Sequence, residues 1–171
     1  WPDFICLSKG ITGGTLALSV VLSKNEIYEA FLNDRIDQGF LHSHSYTGNP
    51  LACRAALAVL DAFDQEQLLQ RNKTIAQWLN KYLSEIASDE RIENFRHMGM
   101  IWAFDIHQNY LSENFAECFY LNARQNELLL RPIGKTVYLM PPYILTESDC
   151  AWLAQQLMKT LNASLKKETV N

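Results

Sequence analysis

The chain has 171 residues, 48% of them apolar, and a net charge of -4 with both signs spread throughout. That is enough apolar sequence for a buried core, and it lacks the basic stripe of a nucleic-acid binder and the polybasic cluster of a membrane-surface protein. Its apolar segments are broken by Ser, Asp or Lys well short of a bilayer span and no secretory pattern opens the chain, which fits a cytoplasmic protein handling small metabolites.

Trp1 stands where an initiator Met is expected and Trp1-Pro2-Asp3 runs straight into apolar sequence, which suggests a fragment cut from a longer protein. Phe4-Ile5-Cys6-Leu7 predicts a short buried strand. It delivers Lys9 to a turn carrying Gly10, Gly13 and Gly14. Leu16 to Leu22, with Val20 and Val21, predicts a strand buried on both faces. Asn25 to Leu32 predicts a short helix capped by Asn25. From Asp34 to Asn49 neither period appears, and loops that long inside a domain are functional or disordered. The aromatic, His- and hydroxyl-rich run Phe40 to Asn49 does not have a disordered composition.

Asn49 caps and Pro50 starts the next predicted helix, which runs to Phe63 through many alanines and so suits close packing. The pattern changes around Asp64 to Glu66, where a boundary between two lobes is placed. An amphipathic helix follows, carrying Leu68, Ile75, Leu79, Leu83 and Ile86. Two strands are expected at Ile92–Arg96 and Ile101–Ile106, joined through His97-Met98-Gly99. A helix over 115–126, strands at Leu128–Leu130 and Thr136–Met140, and a last helix from Thr146 complete the series. The last helix has acidic residues in its first turn and ends in a basic Lys166-Lys167 tail. The second lobe is therefore expected to be a small sheet covered by helices. Cys6, Cys53, Cys118 and Cys150 form no close pair and are expected to be reduced and mostly buried.

Four features carry chemistry. Lys9 follows a strand and precedes glycines. A desolvated lysine there is a nucleophile toward carbonyl groups, and the alternative is a solvated lysine in a Gly-rich turn. A phosphate-binding P-loop is excluded, because it places its lysine after the glycines. His42-Ser43-His44-Ser45 offers imidazoles and hydroxyls beside a helix start, which suits a phosphate or carboxylate better than a metal, since no third ligand with metal spacing lies nearby. A structural loop with paired histidines is the alternative. Arg131, between an apolar segment and Pro132, can clamp a carboxylate or make a rim ion pair. Tyr138 either presents its hydroxyl at the same mouth or is a core aromatic.

Taken together, Leu7-Ser8-Lys9-Gly10-Ile11-Thr12-Gly13-Gly14, His42 to Cys53, Leu130-Arg131-Pro132-Ile133-Gly134-Lys135 and Tyr138-Leu139-Met140-Pro141-Pro142-Tyr143 resemble one family. It is that of the class III pyridoxal-phosphate aminotransferases, and within it the adenosylmethionine-8-amino-7-oxononanoate aminotransferases of biotin synthesis. The resemblance implies an α/β, type I (aspartate aminotransferase-like) fold. Residues 1–65 would be the C-terminal end of the large cofactor domain and 66–171 the small C-terminal domain. It further implies pyridoxal 5'-phosphate held on Lys9 as an internal aldimine, with His44 and Ser45 at the cofactor phosphate, of the neighbouring subunit in a homodimer. Ser43, Arg131 and Tyr138 would contact substrate, S-adenosylmethionine and 8-amino-7-oxononanoate being the pair that reacts, and no metal is called for.

Relatives often carry Gly-Pro-Thr where this chain has Ser43-His44-Ser45, so the hydroxyl for phosphate is kept and the role of Ser43 is altered. The family's partner for the pyridine nitrogen, its glycine-rich phosphate turn and its ring-stacking aromatic belong to an N-terminal part not present in this sequence. The resemblance therefore implies a chain that does not transaminate alone. A catalytically incompetent fragment, one half of a split enzyme, another class III aminotransferase and a small phosphate-ligand binding module are the other readings.

Overall fold

The chain starts in an antiparallel hairpin, β1 (Phe4–Ser8) against β2 (Ser19–Ser23), with Phe4 opposite Ser23 and Ser8 opposite Ser19. Between the strands lies a single 3-10 turn, Lys9–Thr12. The computed structural model describes residues 1–165, and they divide into two units between Leu68 and Leu69. The first unit continues with α1 (Asn25–Phe31), the long loop with one 3-10 turn at Ile36–Gln38, and α2 (Pro50–Gln65).

Two expectations for this unit are corrected. β1 and β2 were expected to be buried, but each exposes four of its five residues, Phe4 at 55% and Val21 at 62% among them. The sheet of this unit has two strands, and its faces are not closed by a core within the described residues. Asn25 is not a cap either. Lys24 occupies that position, and the Asn25 amide donates to Glu29 Oε1 within the helix at 2.5 Å, the i to i+4 geometry that competes with capping.

The second unit holds the core. α3 (Leu68–Tyr82) is followed by a short α4 (Ser84–Ala87), and β3 (Ile92–Met98), β4 (Ile101–Ile106) and β5 (Thr136–Leu139) form one antiparallel sheet in the order β3-β4-β5. α5 (Phe115–Gln125) and α6 (Glu147–Ser164) pack with α3 on one face of it. The period-two alternation of a strand sets which residues take part. Trp102, Phe104 and Ile106 on β4, with Val137 and Leu139 on β5, are buried against Ile75, Leu79, Phe119, Leu157 and Leu161. Trp102 satisfies its one donor by bonding Asn80 Oδ1 at 2.7 Å, and the His97 ring stacks on it at 5.5 Å.

Several polar groups in the helix layer are paired. Thr160 bonds the Gln156 carbonyl and accepts from Asn126, while Asn122 reaches Ser164. α6 is closed by a capping box, Thr146 Oγ1 accepting from the Asp149 amide and Asp149 accepting from the Thr146 amide.

Leu128–Leu130, expected to be a strand, has no regular structure and pairs with no strand. Glu127 turns the chain out of α5 with φ +60°, Leu128 N–H bonds back to the Ala123 carbonyl, and Pro132 removes a ladder donor just beyond. The cysteines also differ from expectation. Cys150 is buried and Cys118 half-buried, but Cys6 and Cys53 are exposed, one on the uncovered hairpin and one on the outer side of α2. Lys166-Lys167 lies outside the described residues.

The opposite face of the sheet carries Asp105, Glu93, Arg96, Thr136 and Tyr138 in register. The Thr136 hydroxyl, first, and then the Asn94 amide and Arg96 hold the Asp105 carboxyl below the ordinary carboxylate range. A carboxylate depressed in the folded state stabilises it above the unfolded pKa, and that contribution fades as pH falls through the folded value. Urea unfolding midpoints of the wild type should therefore fall as pH drops below about 4, and Asp105→Asn should show a shallower decline. Asp89, depressed by its Arg91 partner, leaves a residual slope in both proteins.

Candidate functional site

Lys9 occupies φ 54°, a left-handed backbone that costs a non-glycine residue about 1–3 kcal/mol and gathers at functional sites. The turn that imposes it is well tied. Thr12, 1% exposed, donates to the Leu16 carbonyl at 2.5 Å, Thr15 donates to the Thr12 carbonyl, and Gly13 N–H closes onto the Gly10 carbonyl. Gly13 is required twice over. Its φ is +60°, and a Cβ there would stand 3.3 Å from the Val59 side chain of α2.

Lys9 itself is exposed and has no ion pair among the described residues, so its amine is available to a ligand. It lines a cleft of the first unit together with Gly10, Gly14, His42, His44 and Asn49. The long loop reaches this cleft through a chain of local bonds. Tyr46 N–H donates to His44 Nδ1 at 3.2 Å, Thr47 N–H to the His44 carbonyl, and Asn49 N–H to the Tyr46 carbonyl. A ring nitrogen that accepts must carry its proton on the other, so neutral His44 is the Nε2–H tautomer.

The predicted residues are not placed alike. Lys9 and His44 share the cleft, whereas Ser43 and Ser45 are exposed on the loop outside its lining, their hydroxyls without partners among the described residues. His42, one of the two imidazoles of the candidate anion-binding run, lines the cleft too, and so does Tyr46, which the sequence marked only as a member of the loop. The positive end of α2 was expected to offer N–H groups to an anion. Asn49 Oδ1 instead takes the Leu51 and Ala52 N–H groups at 3.0 and 3.3 Å, leaving the loop hydroxyls and backbone as the available donors.

In the second unit, Arg131 and Tyr138 line one cleft with Leu129, Met140, Tyr120 and Glu127. Arg131 is exposed and pairs with no carboxylate among the described residues, as is also true of Arg71 and Arg124, while Arg35, Arg54, Arg91 and Arg96 do. A guanidinium left unpaired beside Leu129 and Met140 suits a ligand that combines a carboxylate with an alkyl chain. No group of three His, Cys, Asp or Glu side chains placed to hold a metal occurs among the described residues, and no helix there is long and apolar enough to cross a membrane.

The class-III aminotransferase family matches residues 1–161. A relative named adenosylmethionine-8-amino-7-oxononanoate aminotransferase, from Helicobacter pylori, is 40% identical over 94% of this chain and 38% of its own length. One of the same name from Synechococcus elongatus is 38% identical over 86% of the chain and 35% of its own length. The crystal structure of the enzyme of that name from Methanocaldococcus jannaschii superposes with a TM-score of 0.88 at 29% identity, over 96% of this chain and 39% of that one. An amine transaminase from an uncultivated Pseudomonas species, solved with pyridoxal phosphate bound, gives 0.84 at 30% identity, over 95% and 39%. The chain thus spans less than two-fifths of each of these proteins, and its mixed α/β architecture is part of their type I fold.

Replacing Gly13 by Ala should lower stability by about 1–2 kcal/mol, because the substituted residue must hold a left-handed φ while its Cβ presses on Val59. Urea denaturation measures the loss, and Gly10→Ala, where no atom lies within 4 Å of the added Cβ and φ is not positive, should change it by less.

Proposed function

This chain belongs to the class-III aminotransferase family, and we propose that it supplies the cofactor lysine and the substrate-carboxylate site of a pyridoxal-phosphate transaminase of biotin synthesis. The reaction is transfer of the amino group of S-adenosylmethionine to 8-amino-7-oxononanoate, giving 7,8-diaminononanoate. The observation that carries the reading is Lys9, the exposed, unpaired lysine held at positive φ on a tied turn and facing a cleft with His44.

Pyridoxal phosphate, when bound, supplies an aldehyde that exchanges between amines and a ring that accepts an electron pair. The residues present suit that group. The Lys9 amine is the anchor and, once displaced, the base that carries a proton to and from the reacting carbon. The Nε2–H of His44 and the unpartnered hydroxyl of Ser45 are donors of the kind a phosphate takes. Ser43 lies two residues from Ser45 and is assigned to substrate. Arg131 is the carboxylate ligand, its alkyl surroundings matching the chain of an amino-oxo fatty acid, and Tyr138 offers a hydroxyl at the same mouth. In the complete protein the first unit ends the large domain, the second is the small domain, and two copies assemble with the phosphate shared between them. A cytoplasmic location fits this role.

A second reading, a binding-competent but inactive portion, is favoured by one observation, the chain's 38% share of its relative's length. One experiment separates the two. Pyridoxal phosphate followed by borohydride should leave a reduced adduct on Lys9 in peptide mapping, and none after Lys9→Ala. Adduct with this chain alone but no amino transfer supports the inactive portion; no adduct even in a polypeptide containing the remainder of the enzyme would sink the Lys9 assignment. In that longer polypeptide, Arg131→Ala should raise the KM for 8-amino-7-oxononanoate by about tenfold or more, with cofactor trapping unchanged. Equal loss of both would count against a carboxylate ligand.

A further inference from the structure

We infer that Asp105 is the positioning residue of the Arg131 cleft, its carboxylate clamping the Ile133–Thr136 turn so that Arg131 and Tyr138 keep a fixed relation. The inference rests on the reading of Arg131 as the substrate-carboxylate ligand. Among the described residues Asp105 is the one buried charged side chain, 9% exposed, and it sits on a sheet strand where an uncharged residue would fill the same face. A charge buried this far requires compensation.

The compensation is built from two directions. Thr136 donates its hydroxyl at 2.7 Å to Asp105 Oδ1, and Arg96 stands 3.6 Å from the same oxygen. Asn94 donates its amide to Oδ2 at 3.1 Å. Asn94 reaches it only because β3 bulges between Glu93 and Arg96, where Asn94 adopts φ +54°. The bulge therefore interrupts the edge ladder while aiming a donor at Asp105.

What the carboxylate holds is the turn. Ile133 and Thr136 exchange both backbone bonds, 2.9 and 3.0 Å, around Gly134 at φ +58°. Ile106 N–H fastens Lys135 by its carbonyl at 3.0 Å, and Lys135 Nζ reaches Glu93. Arg131 lies two residues before this turn, with Pro132 restricting the backbone between them. Tyr138 lies two residues beyond Thr136, on the same face of β5. Both line the cleft. Any rotation of the turn moves one against the other.

The test uses the full chain, with nonanoate as the carboxylate probe, titrated by chemical shift, and backbone amide exchange measured alongside. Thr136→Val keeps the branched shape and removes the hydroxyl; Thr136→Ser keeps the hydroxyl; Asp105→Asn removes the charge. Thr136→Val and Asp105→Asn should each speed exchange at the Ile133 and Thr136 amides by about tenfold and weaken nonanoate by a similar factor. Thr136→Ser should stay within about twofold of the parent on both, as rescue by the retained hydroxyl requires. Unchanged turn amides in Thr136→Val overturn the inference. Uniform acceleration along β4 and β5 does so as well, since that marks a part in sheet stability alone. If Arg131→Ala binds nonanoate as the parent does, the Arg131 reading fails, an outcome recognisable because the exchange result does not depend on it.

Discussion

The second unit depends on β4 being a central strand whose two faces have opposite characters. One face sends Trp102, Phe104 and Ile106 into the layer of α3, α5 and α6, where removing that much apolar surface from water is the main favourable term. The other presents Ala103 and Asp105 in register with Tyr138 and Thr136. Because alternation in a strand is strict, the core on one side fixes the polar register on the other. A slip by one residue would bury Asp105 among the helices and expose Phe104, so the hydrophobic demand itself holds the cleft residues on their face.

The first unit follows a different rule. Its organising constraint is conformational, a lysine in a left-handed backbone held by Thr12, Thr15 and Gly13, with β1 and β2 leading the chain in and out. Little of its apolar surface is covered: Phe4, Val21, Leu22, Leu51 and Leu60 are all exposed. A strained residue persists only when its surroundings over-determine it. Here the overdetermination is local hydrogen bonding and the close approach of Gly13 to α2, which lets the turn keep its form without a large core beneath it.

This contrast explains what was legible in the sequence. The helix starts at Pro50 and Glu147 could be read because their caps, Asn49 and Thr146 with Asp149, are short-range signals that the side chains satisfy within three residues. β4 was legible from its alternation, and the turn at Lys9 from its glycines. Burial of β1 and β2 was misjudged because an apolar run reports what a strand can bury, and no described residues cover these two. Leu128–Leu130 was misjudged because apolar character does not supply a ladder partner, and the Glu127 turn and Pro132 deny it one. The bulge that turns Asn94 toward Asp105 has no local signature at all; it is visible only once β3 and β4 are paired.

The two clefts therefore differ in what fixes them. The Lys9 cleft is set by bonds between residues a few positions apart, so its shape is written locally, with His44 held by Tyr46 N–H. The Arg131 cleft is set by contacts across the sheet, Asp105 to Thr136 and Glu93 to Lys135, that join positions dozens apart in sequence. A guanidinium discriminates a carboxylate only when its N–H groups are aimed, and contacts across a sheet are what can aim one. The contacts under Arg131 are thus long-range and those under Lys9 short-range.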